Sequence, residues 1–328
     1  MSPQKPPSLG FFPKIVRQAP GIDLSGQVAI ITGANSGLGF HSARHLLALN
    51  LSHLILAVRS KKNGEEAMGK LQKEFPSARL EVWELEMTSY DSIQAFARRI
   101  ETALSRLDII ILLAHSKLTI CESTGHDGDI QVNYLSTFLL TILILQALKK
   151  KQKSPTSSPP RLTIVSSGTA LTAKLPNRNK RPLLASFDDP YIQPYDTLER
   201  YGASKLLGHL FFARLLKYLD PDDAIVNLVQ PGLVKGTGLF REAPIALGVI
   251  FSVIKTFTAL SVEDGAWLYV DAAVVRGKES HGRFCSEGKI QPFASLVYTA
   301  EGGPVLDALW EETMSELDFA GVREMLQG

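Results

Sequence analysis

The sequence predicts an α/β fold in which about seven parallel strands form one doubly wound sheet with helices on both faces. A short apolar segment, Val28 to Ile31, runs into a glycine-rich turn and then into a helical pattern from about Leu38 to Leu49. Further apolar segments alternate with helical patterns along the chain, which is typical of parallel sheets. The run from Asp108 to Leu113 is almost entirely apolar, which indicates a strand buried on both faces.

The remaining elements follow this alternation of strands and helices. Strands are predicted over residues 54–58, 80–85, 108–113, 162–165, 224–229 and 282–286, and helices over residues 64–75, 91–104, 128–149, 201–219, 262–275 and 301–326. The polar stretch 149–160 is rich in Lys, Ser and Pro and predicts a surface connection, not a domain boundary. An extended loop over residues 168–200 is expected to lie over the substrate pocket.

The length and charge of the chain limit the classes of protein to which it can belong. A chain of 328 residues with a net charge of +2 is long enough for a large core. Because positive and negative side chains nearly balance, the charge does not indicate a nucleic-acid partner. We predict an N-terminal arm over residues 1–25 and a single catalytic domain over 26–328. The two cysteines, Cys121 and Cys285, form no disulfide framework, so a reducing compartment, the cytoplasm, is expected.

Neither the first residues of the chain nor its most apolar stretch indicates a membrane protein. The first 20 residues lack the apolar core of a signal peptide. The longest apolar run, Ala243 to Ile254, is too short to span a bilayer, so no stable membrane insertion is expected. We interpret this run as part of a substrate lid around residues 236–260. A buried helix and a membrane-surface contact are the alternatives.

The glycine-rich turn, Thr32 to Gly39, predicts a dinucleotide site. Gly33 makes the tight turn, Gly37 allows the backbone to approach a pyrophosphate, and Gly39 allows the helix to pack against the strand. The following helix points its N-terminal amides at the phosphates. A plain structural turn is the alternative.

Arg59 follows the second predicted strand, where a dinucleotide fold meets the adenosine ribose. A carboxylate at this place accepts from the 2′-hydroxyl of NAD, whereas an arginine pairs with the 2′-phosphate of NADP. Arg59 therefore favours NADP(H) as the cofactor, with a solvated basic loop as the alternative. No metal is expected, since His41 and His45 lie four residues apart without an accompanying cysteine or carboxylate.

Tyr201 and Lys205 are separated by four residues and share one face of a predicted helix. A free tyrosine has a pKa of about 10 and is a poor acid at neutral pH. The ammonium of Lys205, together with a positive nicotinamide ring, is expected to lower this pKa. Ser167 follows the fifth predicted strand, at the sheet edge where ligands bind, and Ser166 is the alternative.

The turn Thr-Gly-x-x-x-Gly-x-Gly, the Tyr-x-x-x-Lys motif and Pro231-Gly232 together resemble the short-chain dehydrogenase/reductase family, with details most like fungal natural-product enzymes. The resemblance implies a Rossmann-type domain and NADP(H)-dependent interconversion of a ketone and a secondary alcohol. It also implies a lipophilic carbonyl or alcohol substrate and a possible homodimer. The catalytic residues implied are Asn133, Ser167, Tyr201 and Lys205. Those implied for the cofactor are Gly33, Asn35, Ser36, Gly37, Leu38, Gly39, Arg59, Glu86, Ala114, Tyr201, Lys205, Pro231, Gly232, Val234 and Thr237.

The chain departs from the family pattern after the fourth predicted strand. Leu112-Leu113-Ala114-His115 replaces the usual Asn-Asn-Ala-Gly, whose first Asn tethers neighbouring strands and whose Gly gives clearance beside the cofactor. The departure motivates a second hypothesis, a non-redox isomerase, dehydratase or cyclase on the same fold. A third hypothesis is a non-catalytic NADP-binding protein, against which the complete tetrad argues.

The variant His115→Gly distinguishes the two interpretations of this departure. If the ring is turned away, as we expect, NADPH affinity and turnover stay within about threefold of wild type, which is under about 1 kcal/mol. A large gain in NADPH affinity would show instead that His115 crowds the nicotinamide side. Loss of product with unchanged cofactor binding would make His115 an acid-base group, since its ordinary pKa is about 6.5.

Overall fold

The computed structural model describes residues 15–114, 120–151, 158–189, 197–235 and 259–327. One eight-stranded sheet has the order β3-β2-β1-β4-β5-β6-β7-β8. Its strands are β1 (Val28–Thr32), β2 (His53–Val58), β3 (Arg79–Glu84), β4 (Ile109–Leu112), β5 (Arg161–Val165), β6 (Ile225–Gln230), β7 (Phe284–Ser286) and β8 (Lys289–Gln291).

Helices cover both faces of this sheet. They are α1 (Gly37–Ala48), α2 (Lys61–Glu74), α3 (Tyr90–Ala103), α4 (Thr137–Lys149), α5 (Ala185–Asp188), α6 (Thr197–Leu215), α7 (Val262–Val270), α8 (Gly302–Glu316) and α9 (Val322–Gln327). The two faces carry separate apolar clusters, one around α3, α4 and α6 and the other around α1 and α7. This arrangement confirms the predicted doubly wound fold.

The seven predicted strands are all present and mutually parallel, because every ladder from β1 to β7 is parallel. The eighth strand, β8, was not predicted. It pairs antiparallel with β7 and is exposed along its length, so its three residues carry no apolar alternation. The predicted C-terminal helix is two helices, because the chain turns at Gly321, where φ is +67°.

A π-helical segment, Ile130–Ser136, precedes α4 and continues into it. Within the described ranges, the combined helix Ile130–Lys149 is the one stretch long and apolar enough to span a bilayer, with a mean hydropathy of 1.5. However, 89% of its apolar window is buried inside the protein. Its apolar character therefore matches that of a core helix under α6 and α9.

The strand order reverses between β1 and β4, so a crevice opens at the carboxyl ends of these strands. Thr32, the last residue of β1, clamps the two ends together. Its hydroxyl donates to the Leu113 carbonyl at 2.6 Å and accepts from the Leu113 amide at 2.7 Å. Where the family pattern has an asparagine tether, this chain joins the strands through a buried threonine.

Replacing Thr32 by valine tests this clamp. The valine would leave the amide and carbonyl of Leu113 without their partner, so the free energy of unfolding should fall by about 1–3 kcal/mol in a denaturant titration. The matched control, Thr32→Ser, keeps the hydroxyl and should lose less stability than the valine variant. Equal stability of Thr32→Val and wild type would contradict the clamp.

Candidate active site

The glycine-rich turn between β1 and α1 has the backbone of an anion-binding loop. Gly33 and Gly37 have φ of +63° and +52°, a region that favours glycine. At Gly39, a Cβ atom would lie 2.4 Å from the Gly33 carbonyl oxygen, so only glycine lets α1 pack this closely. No side chain caps α1 at Ser36, and its first turn has no acidic residue. Its amides and positive dipole end therefore favour a bound phosphate.

The other predicted residues of this turn lie beside it. Asn35 is half-buried and Ser36 is exposed at the mouth of the turn. Leu38 faces Gly265 of α7, where a Cβ atom would lie 3.0 Å from the leucine side chain. The turn is thus held between β1 and α7.

Arg59 lies at the carboxyl end of β2, directly after Val58. Its side chain is 76% exposed and its Nε lies 3.9 Å from a carboxylate oxygen of Glu86. Glu86 is held in place, since it accepts from the Thr88 amide at 3.0 Å and its own amide donates to Ser92 Oγ at 3.0 Å. The exposed guanidinium has room to turn towards an anion beside α1.

Tyr201 and Lys205 lie one turn apart on α6, as predicted from their spacing. The Lys205 Nζ atom is 5.8 Å from the centre of the Tyr201 ring and donates to the Val165 carbonyl at 3.1 Å. Lys205 is only 4% exposed, and this burial lowers its pKa to about 8. The bond to Val165 places the ammonium at the carboxyl end of β5.

The expected lowering of the Tyr201 pKa is wrong for the protein alone. Burial has the largest effect and raises this pKa, a hydrogen bond with Ser167 lowers it and the charge of Asp129 raises it, so that the pKa is about 12. Desolvation of the phenolate is thus the largest of the three effects. Tyr201 is therefore protonated at neutral pH and is available as a proton donor.

Ser166 and Ser167 have different hydrogen-bond partners, and this distinguishes the two candidates for the serine of the catalytic site. Ser166 is buried, and its Oγ lies 3.0 Å from Nε2 of His209. The Ala294 amide donates to Nδ1 of His209 at 3.2 Å, so the Nε2 proton is donated to Ser166. Burial lowers the pKa of His209 to about 3, which keeps the ring neutral. Ser166 is thus part of the packed interior.

Ser167 faces the site instead. It bonds with Tyr201 and accepts from the Thr169 hydroxyl at 2.9 Å at the start of a short 3-10 helix. His209 lies four residues after Lys205 and was not singled out in the sequence. His209 lies eight residues after Tyr201, on the same face of the helix, and this spacing is the sequence signal that could have identified it.

Asn133 lies in the π-helical segment and is 3% exposed. Its Nδ2 donates to Asp129 Oδ1 at 2.9 Å and to Ser204 Oγ at 3.1 Å. Within the described part of the chain, its Oδ1 is buried without a hydrogen-bond partner. The amide thus connects α4 to α6 next to Lys205.

The segment after β6 begins at the carboxyl end of the strand next to β5. Gly232, after Pro231, has a φ of +74°. The backbone of Leu233 and Lys235 pairs with Leu260 at 2.8 and 2.9 Å, with the buried Val234 between them.

Three predicted features fall wholly or largely outside the described residues: His115, Thr237 and most of the lid around residues 236–260. Ala114, the last described residue before His115, is half-buried at the carboxyl end of β4. Within the described ranges, no cluster of three or more His, Cys, Asp or Glu residues could hold a metal.

Comparison of the sequence with known proteins found a matching family profile and similar proteins. The family profile described as short chain dehydrogenase matches residues 27–156. The short chain dehydrogenase/reductase mfmJ of Annulohypoxylon moriforme is 50% identical over 311 residues, covering 94% of this chain and 89% of that protein. The short chain dehydrogenase virL of Hypocrea virens is 41% identical over 309 residues, covering 93% of this chain and 89% of that protein.

A solved structure, the RhlG/NADP active-site complex of Pseudomonas aeruginosa, superposes with a TM-score of 0.61 at 20% identity. The alignment covers 82% of this chain and 97% of that one. At this identity the likeness concerns the fold alone.

Proposed function

The chain belongs to the short-chain dehydrogenase/reductase family, and on this basis we propose that it is an NADP(H)-dependent oxidoreductase interconverting a ketone and a secondary alcohol. One observation carries the proposal. Tyr201 and Lys205 share a face of α6 at the carboxyl end of β5, and Ser167 bonds with Tyr201 there. A nucleotide-type turn opens on the same sheet edge.

The residues present fit a dinucleotide cofactor. The α1 amides and the positive φ of Gly33 and Gly37 suit a pyrophosphate, and the exposed Arg59 suits a 2′-phosphate. NADPH, when bound, supplies the hydride. Glu86 and Ala114 are proposed to line the adenine and nicotinamide ends, and Pro231, Gly232 and Val234 to close the pocket.

The chain's own residues would manage the proton. In reduction, Ser167 donates a hydrogen bond to the substrate oxygen, and Tyr201 donates the proton that this oxygen needs. Tyr201 carries its proton at neutral pH, so the phenol has a proton to donate in this direction. Lys205 holds positive charge beside the phenol and is proposed to orient the cofactor ribose, and Asn133 completes the relay.

We further propose a lipophilic small-molecule substrate in a fungal secondary-metabolite pathway and a cytoplasmic location. The fungal origin of the relatives supports the pathway, and Cys121 and Cys285, both buried and free, suit a reducing compartment. A homodimer is compatible with the proposal.

The runner-up is a non-redox enzyme on the same fold, which the Leu112–His115 departure favours. A spectrophotometric assay of NADPH oxidation with a panel of lipophilic ketones separates the two. Consumption of NADPH with formation of an alcohol supports the oxidoreductase. Conversion of a substrate without NADPH consumption supports the isomerase, dehydratase or cyclase. Binding of NADPH without any conversion supports a non-catalytic NADP-binding protein.

Arg59→Ala is expected to weaken NADPH binding about ten- to a hundredfold, because a charge-assisted phosphate contact is lost. NADH lacks this phosphate, so its dissociation constant should not change. Both constants are measured by fluorescence titration, with Lys70→Ala on the exposed face of α2 as the matched control. Equal NADPH affinity in Arg59→Ala and wild type would remove Arg59 from the site.

Tyr201→Phe is expected to keep the fold and NADPH binding but to lower turnover by about two orders of magnitude or more, because the proton donor is lost. The control Tyr218→Phe alters a tyrosine that stacks on Trp310 at 5.3 Å, away from the site, and should keep its rate. Near wild-type turnover in Tyr201→Phe would assign the proton transfer to another group.

A further inference from the structure

Asp129 stands immediately before the π-helical segment, one turn ahead of Asn133, and has no role in the chemistry described above. It is half-buried, and its Oδ1 accepts from the Asn133 amide at 2.9 Å. Its backbone amide donates to Asp127 at 3.0 Å, which fixes the position of the carboxylate. A carboxylate thus lies directly against Asn133, one of the proposed catalytic residues.

The contact continues into α6 as a chain of hydrogen bonds. The second N–H of the Asn133 amide donates to Ser204 Oγ at 3.1 Å, and this hydroxyl donates to the Tyr201 carbonyl at 2.8 Å. An ionised carboxylate only accepts hydrogen bonds. Asp129 therefore selects the orientation in which the amide nitrogen, not its oxygen, faces the carboxylate and Ser204.

The charges around Asp129 divide into two groups. Asp127 is paired with the buried Arg200 at 2.6 Å, so its charge is compensated by a direct partner. Asp129 and Lys205 interact through their charges. Burial raises the pKa of Asp129 most, the charge of Asp127 raises it further and the charges of Lys205 and Arg200 lower it, so that this pKa is about 7. Conversely, burial lowers the pKa of Lys205 and the charge of Asp129 raises it.

Two further titratable groups near Lys205 lie on α6. Tyr201 stays neutral, because burial holds its pKa near 12. His209 also stays neutral, since burial and the charge of Lys205 lower its pKa to about 3. Asp129 is thus the carboxylate whose charge raises the pKa of the Lys205 ammonium.

We propose that Asp129 is a positioning residue of this site, whose carboxylate orients the Asn133 amide and supplies the negative charge that keeps Lys205 an ammonium. The catalytic role of Asp129 rests on the proposed function. The coupling of Asp129 to Lys205 does not depend on any substrate. Removing the charge alone should lower the pKa of Lys205 by about one unit.

The experiment measures this pKa directly in the cofactor-free protein. The Lys205 Cε resonance of protein labelled with 13C-lysine is titrated by NMR and assigned by its loss in Lys205→Arg. In Asp129→Asn the titration should move down by about one pH unit. In Asp129→Glu, which retains the charge, it should stay closer to wild type. The control Asp307→Asn removes an exposed carboxylate that pairs with Arg214 at 3.0 Å, and it should leave Lys205 unchanged.

A reciprocal titration covers the case in which Asp129→Asn does not fold. In protein labelled with 13C-aspartate, the pKa of Asp129 should rise when Lys205 is replaced by methionine, because coupled groups affect each other equally. An unchanged Asp129 pKa in Lys205→Met, or an unchanged Lys205 pKa in Asp129→Asn, would overturn the inference.

The activity measurement connects the coupling to catalysis. If Lys205 must be an ammonium, the alkaline limb of kcat for ketone reduction should move to lower pH in Asp129→Asn by the same amount as the NMR titration. A purely structural role would lower kcat or Tm without moving this limb, and that result would overturn the proposal. A shifted Lys205 pKa in a protein that reduces no ketone would uphold the coupling and reject the proposed function instead.

Discussion

The proposed site depends on a buried ammonium at the carboxyl end of β5. Lys205 is nearly excluded from solvent and donates to the Val165 carbonyl at 3.1 Å. An ammonium in such surroundings is costly unless polar groups and an opposite charge compensate it. The strand end supplies the carbonyl, we propose that Asp129 supplies the charge, and the pitch of α6 places Tyr201 one turn away.

The sheet determines what this helix faces. Because β1, β4 and β5 are parallel, the turn after β1 and the end of β5 lie at the same edge of the sheet. Thr32 holds β1 against Leu113, so the missing asparagine of the family pattern is compensated through a side chain on the neighbouring strand. The departure at Leu112-Leu113 therefore leaves the strand ends joined.

Sequence patterns predicted the parallel sheet and the shared helix face of Tyr201 and Lys205, because both follow from local periodicity. They did not predict the role of Asp129 or His209, since each acquires its partner through contacts between elements distant in the chain. Nor did they predict that burial raises the pKa of Tyr201 in the protein alone, because spacing along a helix indicates neighbouring charges but not burial.

Transfer of an isotopic label tests the central claim, that this site reduces a carbonyl with a hydride from the cofactor. The protein is incubated with NADPH deuterated at the nicotinamide C4 and with a panel of lipophilic ketones, and products are analysed by mass spectrometry. The account predicts an alcohol that carries one deuterium on the former carbonyl carbon, with loss of this product in Tyr201→Phe. A product without deuterium, or no labelled product from any ketone in the panel, would contradict it.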